Sequence, residues 1–286
     1  MIAIRPPVGL LMLYGLLSLA AVGLGAWVCA VSGVPTGSWL RNVVVWPVGL
    51  LLAAGLAAFA RERIAWLLLC GVGLLGVSLA GVPQEGVRRW LDLGPLHINV
   101  AFVVLPLAIV ALAWTGGRWW SWAVAFAGQA VLVAQPDASQ ATAFGAALIV
   151  LAVRAPASRP ARIGLILLAG GLSAVSWLRP DPLAPVPEVE EIVGMASAVS
   201  PILAGLAVLL ITATALTPAV TARNTPARPA GLALSAYMLI AAAITVFGAF
   251  PMPLLGIGMS PILGFWLGVG LLAARLRSAS IPASGS

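Results

Sequence analysis

Long apolar runs alternate with short polar breaks along this chain. The uncharged windows fall at about residues 8–31, 43–60, 64–82, 98–115, 119–135, 138–153, 163–178, 194–216, 230–250 and 254–274. A membrane-crossing helix needs about 17–25 apolar residues, so the pattern predicts ten transmembrane helices. The stretch from Pro229 to Ala274 carries no charge and is too long for one helix, and Pro251-Met252-Pro253 predicts a hairpin within it. The fold class expected is all-α, a polytopic bundle forming a single transmembrane domain over residues 1–286 with no separate soluble domain. No short-period repeat is visible. The first run resembles a signal peptide but lacks a small-residue cleavage site before a soluble domain, so it reads as a retained helix.

Composition agrees. Hydrophobic residues make up 62% of the chain and charged residues 8%, with a mean hydropathy of +1.09. Soluble domains carry about 25% charged residues, so lipid must solvate most of this surface. All 15 basic residues are arginine. The resulting pI near 11.2 would suggest nucleic acid in a soluble protein. Here the arginines punctuate apolar runs, so they read as topology signals and nucleic-acid binding is set aside. Cys29 and Cys70 lie inside apolar runs and read as small hydrophobes. One histidine and no Cys/His cluster leave no zinc signature.

Charge sets the orientation. With ten spans and both termini in the cytoplasm, Arg5, Arg61, Arg63, Arg118, Arg154, Arg159, Arg162, Arg223, Arg228, Arg275 and Arg277 fall inside, which is 11 of 15. Arg41, Arg88, Arg89 and Arg179 fall outside. Among the acids only Glu62 falls inside, while Glu85, Asp92, Asp137, Asp181, Glu188, Glu190 and Glu191 lie outside. The positive-inside rule favours this arrangement over its inverse. It implies a multi-pass protein of the cell inner (cytoplasmic) membrane.

Three polar clusters stand out, all on the outer side. The first is Glu85-Gly86-Val87-Arg88-Arg89-Trp90-Leu91-Asp92-Leu93-Gly94-Pro95. Its two arginines offer planar donor forks that suit phosphate oxygens, and Trp90 suits a sugar face or the membrane interface. The plainer reading is an interfacial anchor in which Glu85 and Asp92 pair the arginines. The second cluster is Gln135-Pro136-Asp137, joining two short windows. Sixteen helical residues rise only about 24 Å against a hydrocarbon core of roughly 30 Å. Asp137 is therefore expected below the outer surface, in a cavity, as a general-base candidate. The plainer reading is a helix-capping aspartate. The third cluster, Pro187-Glu188-Val189-Glu190-Glu191, follows Arg179-Pro180-Asp181-Pro182 and reads most simply as a solvated loop. His97 stands alone at the outer mouth of the fourth span, as an interfacial residue.

Together these motifs resemble the SEDS family, which includes RodA, FtsW and SpoVE. Residues Gly86–Pro95 are similar to its Gly-x-x-Arg-Trp-(Leu/Ile)-x-Leu-Gly motif after the third span. Gln135-Pro136-Asp137 resembles its Gln-Pro-Asp between the fifth and sixth spans. Pro187-Glu188 followed by Glu191 resembles Pro-Glu-x-x-x-Asp before the eighth span, and Pro253–Met259 resembles the approach to the tenth. The resemblance implies a peptidoglycan glycosyltransferase of cell shape or division. It would polymerise a polyprenyl-pyrophosphate-linked sugar (lipid II-like) at the outer face of the membrane, beside a class B penicillin-binding protein. Asp137 would then be the catalytic base. Arg88, Arg89, Trp90, Gln135 and Glu191 would bind substrate, and the resemblance allows a divalent cation at the leaving pyrophosphate.

The chain also departs from the family pattern. Asn99-Val100-Ala101-Phe102 replaces Gln-Pro-Ser-Glu at the fourth span, Ser139-Gln140 replaces Gly-Thr after Gln-Pro-Asp, and the tenth-span serine-rich stretch reads Ser260–Trp266. The outer loop between the seventh and eighth spans is cut to about 179–193. A non-catalytic SEDS relative that scaffolds a cell-envelope complex is the alternative, and a lipid or solute transporter ranks below it. The first two differ in whether Asp137 lines an open cavity or is closed off by packing.

Overall fold

A computed structural model of the chain describes residues 6–60, 64–94, 96–115, 117–179 and 181–279. Arg5, Arg61, Glu62, Arg63, Pro95 and Pro180, used above for topology and motif, lie outside the described residues. The helices are α1 (Pro6–Val31), α2 (Thr36–Phe59), α3 (Ala65–Val77), α4 (Val100–Thr115), α5 (Trp119–Ala134), α6 (Ala138–Val153), α7 (Arg159–Ser176), α8 (Pro187–Glu190), α9 (Ile192–Val199), α10 (Pro201–Ala222), α11 (Arg228–Ala243) and α12 (Met259–Ala279). A helix lies in each of the ten predicted windows, so the all-α membrane fold stands. Among the described residues, five stretches are both long and apolar enough to cross a membrane: α1, α2, α10, α11 with its continuation to Phe247, and α12 to Ser278. Helices α3 to α6 are shorter and apolar.

Three details differ from the sequence reading. Strands β1 (Trp90–Leu93) and β2 (Leu96–Asn99) form an antiparallel hairpin before α4. The window at 194–216 is broken at Ser200, whose hydroxyl accepts from the Ile202 amide at the start of α10. Pro201 favours that break, because helical backbone is disfavoured for the residue before a proline, and Ser200 is extended. The predicted hairpin at Pro251–Pro253 is a longer non-helical stretch, since α11 gives way to a 3-10 turn at Ile244–Phe247 and α12 begins only at Met259. Its backbone is held by other protein segments, as membrane-depth loops require. The Met252 amide donates to the Val189 carbonyl at 3.0 Å, and the Ile257 amide donates to the Glu188 carbonyl at 2.8 Å.

The core is built around α12. Of its apolar stretch 78% is buried, against 17% for α2, so α12 is enclosed while α2 turns most of its surface outward. Trp266 is fully buried, edge-on to Tyr14 at 4.7 Å and to Trp46 at 5.5 Å. Close approach is what places α12 there. Pro106 in α4 has no N–H, so the Phe102 carbonyl one turn earlier loses its helical donor. Gly264 of α12 sits directly against that oxygen; a Cβ there would lie 1.8 Å from it. Proline and glycine thus act as a pair, one opening the carbonyl and the other filling the space, in the manner of small-residue membrane interfaces. Pro218 in α10 frees the Thr214 carbonyl in the same way, and the Thr217 hydroxyl donates to it at 2.8 Å. The adjacent Ala219 amide donates across to the Ser235 hydroxyl of α11 at 3.0 Å.

Charge is sorted to the two ends of the bundle. Arg277 donates to the Ala58 and Ala60 carbonyls at the end of α2. Arg275 lies over the Trp114 ring at the end of α4, 4.7 Å from its centroid. Gly117, beside Arg118, packs on Pro156 in the α6–α7 turn that holds Arg154 and Arg159. Arg89, Asp137, Asp181 and the Glu188–Glu191 segment occupy the opposite end. The asymmetry expected from the positive-inside rule is therefore present in three dimensions.

Candidate functional site at the acidic end

The site begins with the chain leaving α3. A 3-10 turn at Ser78–Ala80 ends the helix, a tight turn pairs Gln84 with Val87, and Gly86 takes φ +87° there. The chain then enters the β1–β2 hairpin, which turns through Gly94 at φ +62°. Both glycines hold left-handed backbone that side chains disfavour. The hairpin register pairs Asp92 with His97 and Trp90 with Asn99. All four residues share one face, because strand side chains alternate. Trp90 stacks on the His97 ring at 5.4 Å and 14°, Asp92 bonds His97 Nδ1, and Gln84 meets His97 Nε2 at 2.7 Å. The expectation that Glu85 and Asp92 pair the outer arginines therefore fails. Asp92 is taken by the histidine across the strand, and among the described residues Glu85 pairs no arginine.

Arg88 and Arg89 point to different fates. Arg88 is exposed and, among the described residues, donates to the Leu79 carbonyl at 3.0 Å, so part of its donor fork faces solvent. Arg89 is only 4% exposed. Its Nη1 donates to Asp181 Oδ2 at 2.6 Å, its Nε donates to the Gln135 carbonyl at 3.3 Å, and its Nη2 donates to the Pro136 carbonyl. Nε also lies 3.6 Å from Asp137 Oδ2. One guanidinium thus ties the hairpin, the Gln135-Pro136-Asp137 turn and the Asp181 loop together.

Asp137 is 2% exposed. Its Oδ1 caps α6, accepting from the Gln140 amide at 3.1 Å and the Ser139 hydroxyl at 2.9 Å. Gln135 is buried as well, and its Nε2 donates to the Ser78 hydroxyl at 2.5 Å. The next residue, Ala138, lies against Phe250 and Ile244, and Phe250 meets Trp177 edge-on at 5.7 Å. At 2% exposure Asp137 does not open to solvent as expected, because the α6 cap and the Arg89 guanidinium hold its two oxygens. Two buried polar atoms near it have no partner among the described residues, Gln135 Oε1 and Gln140 Nε2. Gln140 is further tied by the Tyr237 hydroxyl, which donates to its Oε1 at 2.5 Å.

The structure therefore brings Arg89, Gln135 and Asp137 together and leaves Arg88, Trp90 and Glu191 outside that knot. Glu191 is exposed and follows α8, whose backbone is docked on residues 252–257. Beside it, Glu190 accepts from the Val186 amide. Burial first, and the neighbouring Glu191 and Glu188 charges second, raise its carboxyl above the ordinary 4.5 despite the opposing backbone bonds. Asp181 is the residue that sequence reasoning missed. A buried arginine needs more than one acceptor, but nothing in Arg179-Pro180-Asp181-Pro182 said which acid would supply it. The residues do not suit a divalent cation: no three His, Cys, Asp or Glu side chains converge among the described residues. The Arg89 guanidinium already bridges the two nearest carboxylates, Asp137 and Asp181.

No protein-family model matches the chain, and no curated protein matches it. Solved structures do. The crystal structure of the rod shape determining protein RodA of Thermus thermophilus, as an aspartate-to-alanine variant, matches with a TM-score of 0.72 at 21% identity, over 94% of this chain and 97% of that one. The crystal structure of RodA without that substitution matches with a TM-score of 0.62 at 21% identity and the same coverage. A chain from a peptidoglycan synthase complex, described as coordinating polymerization and crosslinking, matches with a TM-score of 0.66 at 23% identity over 93% and 97%. Over 94% of its length, this chain has the SEDS-like fold of the RodA structures.

Proposed function

We propose that the protein is a SEDS-type member of the peptidoglycan-synthesis machinery in the cytoplasmic membrane. In this reading it serves as a structural partner of a class B penicillin-binding protein, and Asp137 holds the outer end together. The observation that carries the reading is the burial of Asp137 beneath Arg89 and the α6 cap. A general base must reach the proton it takes, and this carboxylate is spoken for on both oxygens. The likeness to a chain of a peptidoglycan synthase complex supports assembly with a crosslinking partner.

A second reading, glycosyl transfer from a polyprenyl-pyrophosphate-linked sugar, is favoured by the unpartnered Gln135 Oε1 and Gln140 Nε2 near Asp137. Buried polar atoms call for a partner, and a sugar hydroxyl would supply one. Arg88 would then meet the pyrophosphate, Trp90 and Glu191 the sugar, and Asp137 would be the base. Purified protein with its penicillin-binding partner, given lipid II, separates the two. In the structural reading no polymer forms, and Asp137→Asn changes complex stability alone. Polymer made by wild type and lost about 10²–10⁴-fold in Asp137→Asn would establish the enzyme instead.

A further inference from the structure

At the opposite end of the bundle lies a side groove of about 400 Å³ that the outer site does not use. Its floor is α11, through Leu232, Ala236 and Leu239. Its walls are the last turns of α6 and α10, and Arg154 stands at its mouth. The rim residues Val153 and Leu216 are exposed, at 53% and 39%, so the groove opens sideways. In a membrane that direction is lipid. The polar floor group, the Ser235 hydroxyl, is already bonded to the Ala219 amide, which leaves the walls apolar.

Arg154 differs from the other arginines of that end that the bundle holds. Arg275 lies over Trp114, and Arg277 and Arg162 donate to carbonyls. The Arg154 guanidinium forms no hydrogen bond or ion pair among the described residues, and it is exposed. Arg223, which caps the end of α10, and Arg228, which begins α11, lie on the same end. An apolar slot of the size small-ligand pockets have, under a free guanidinium on a cationic rim, complements one molecule the membrane supplies: a phospholipid with its acyl chain in the slot and its phosphate on arginine.

We infer that this groove is a binding site for an anionic phospholipid of the inner leaflet, held by Arg154 and by the apolar faces of α6, α10 and α11. Basic pockets between helices on the cytoplasmic side recognise anionic headgroups in this way. A bound chain fills the gap between α6 and α10 and holds both against α11. The inference stands independently of whether Asp137 is catalytic.

Native mass spectrometry tests it on the full chain, released from micelles with equal phosphatidylglycerol and phosphatidylcholine. Wild type should retain one phosphatidylglycerol in preference. Arg154→Gln, on an exposed side chain, should lose about fivefold of that preference, the equivalent of about 1 kcal/mol. Arg159→Gln, on the same end but outside the groove, should keep it. Ala236→Trp, checked for a monodisperse fold, should retain neither lipid at the groove. Equal retention of the two lipids by wild type would overturn the inference. So would an unchanged preference in Arg154→Gln, an equal loss in Arg159→Gln, or undiminished retention in a folded Ala236→Trp protein.

Discussion

Arg89 Nη1 lies 2.6 Å from Asp181 Oδ2, joining residues 92 positions apart in the chain. The same guanidinium neutralises Asp137 at 3.6 Å and covers two backbone carbonyls. Arg89→Ala should therefore strip a buried carboxylate of its counter-charge and destabilise the protein by about 3–5 kcal/mol. Asp181→Asn keeps a hydrogen-bonding group at a partly exposed position and should cost less, roughly 1–3 kcal/mol. Thermal unfolding in detergent measures both, and an Asp181 variant that falls as far as the Arg89 variant would contradict this ranking.

Gly264 and Phe102 give a steric prediction. Gly264→Ala puts a methyl 1.8 Å from the Phe102 carbonyl oxygen, so α12 cannot stay where it is. The variant should lose its monodisperse peak in size-exclusion chromatography. Gly205→Ala, in α10 with open space around it, should behave as wild type.

Charge sidedness is testable in cells. In a background with Cys29→Ala and Cys70→Ala, an impermeant thiol reagent added to spheroplasts should label Ala184→Cys on the exposed acidic end. It should leave Ala157→Cys, beside the arginine-rich turn, unlabelled. The reverse pattern would turn the orientation over.

Glu190 predicts a pH dependence. Its folded carboxyl titrates above the ordinary 4.5 because of burial and then its acidic neighbours. The folded state thus holds that proton more tightly than the unfolded chain. Stability falls as pH rises from about 4.5 through the raised folded value and is level above it. Glu190→Gln keeps an acceptor for the Val186 amide and should remove this slope. Unfolding curves across that interval that superimpose for the two proteins would refute the assignment.

Most of the helices were legible in the sequence because lipid permits little else: an apolar run of sufficient length has to pair its own backbone. The break at Ser200 was signalled by Pro201 but hidden in a run that stays apolar on both sides. The outer end was harder to read. The partners of Asp92 and His97 depend on strand register, which a single slipped residue would reverse. Arg88 and Arg89 are adjacent and chemically identical, yet one is exposed and the other buried. Only the turn before β1 decides which. Asp137 was readable as a cap or as a base, and the choice turns on Arg89, itself held by Asp181, both of which approach from distant parts of the chain.

The enclosed position of α12 has a consequence for biosynthesis. The helix that the others surround follows all of them in the chain. While the ribosome is still making it, α1, α2 and α4 have already been handed to the membrane with the faces meant for Trp266, Gly264 and Gly270 turned to lipid or to one another. Contacts between distant segments form late and leave apolar and polar surfaces transiently unpaired. A chain stopped before Met259 would lack its centre rather than its edge. Quality control should therefore treat such a truncated product as an unassembled set of helices, to be cleared by membrane proteases.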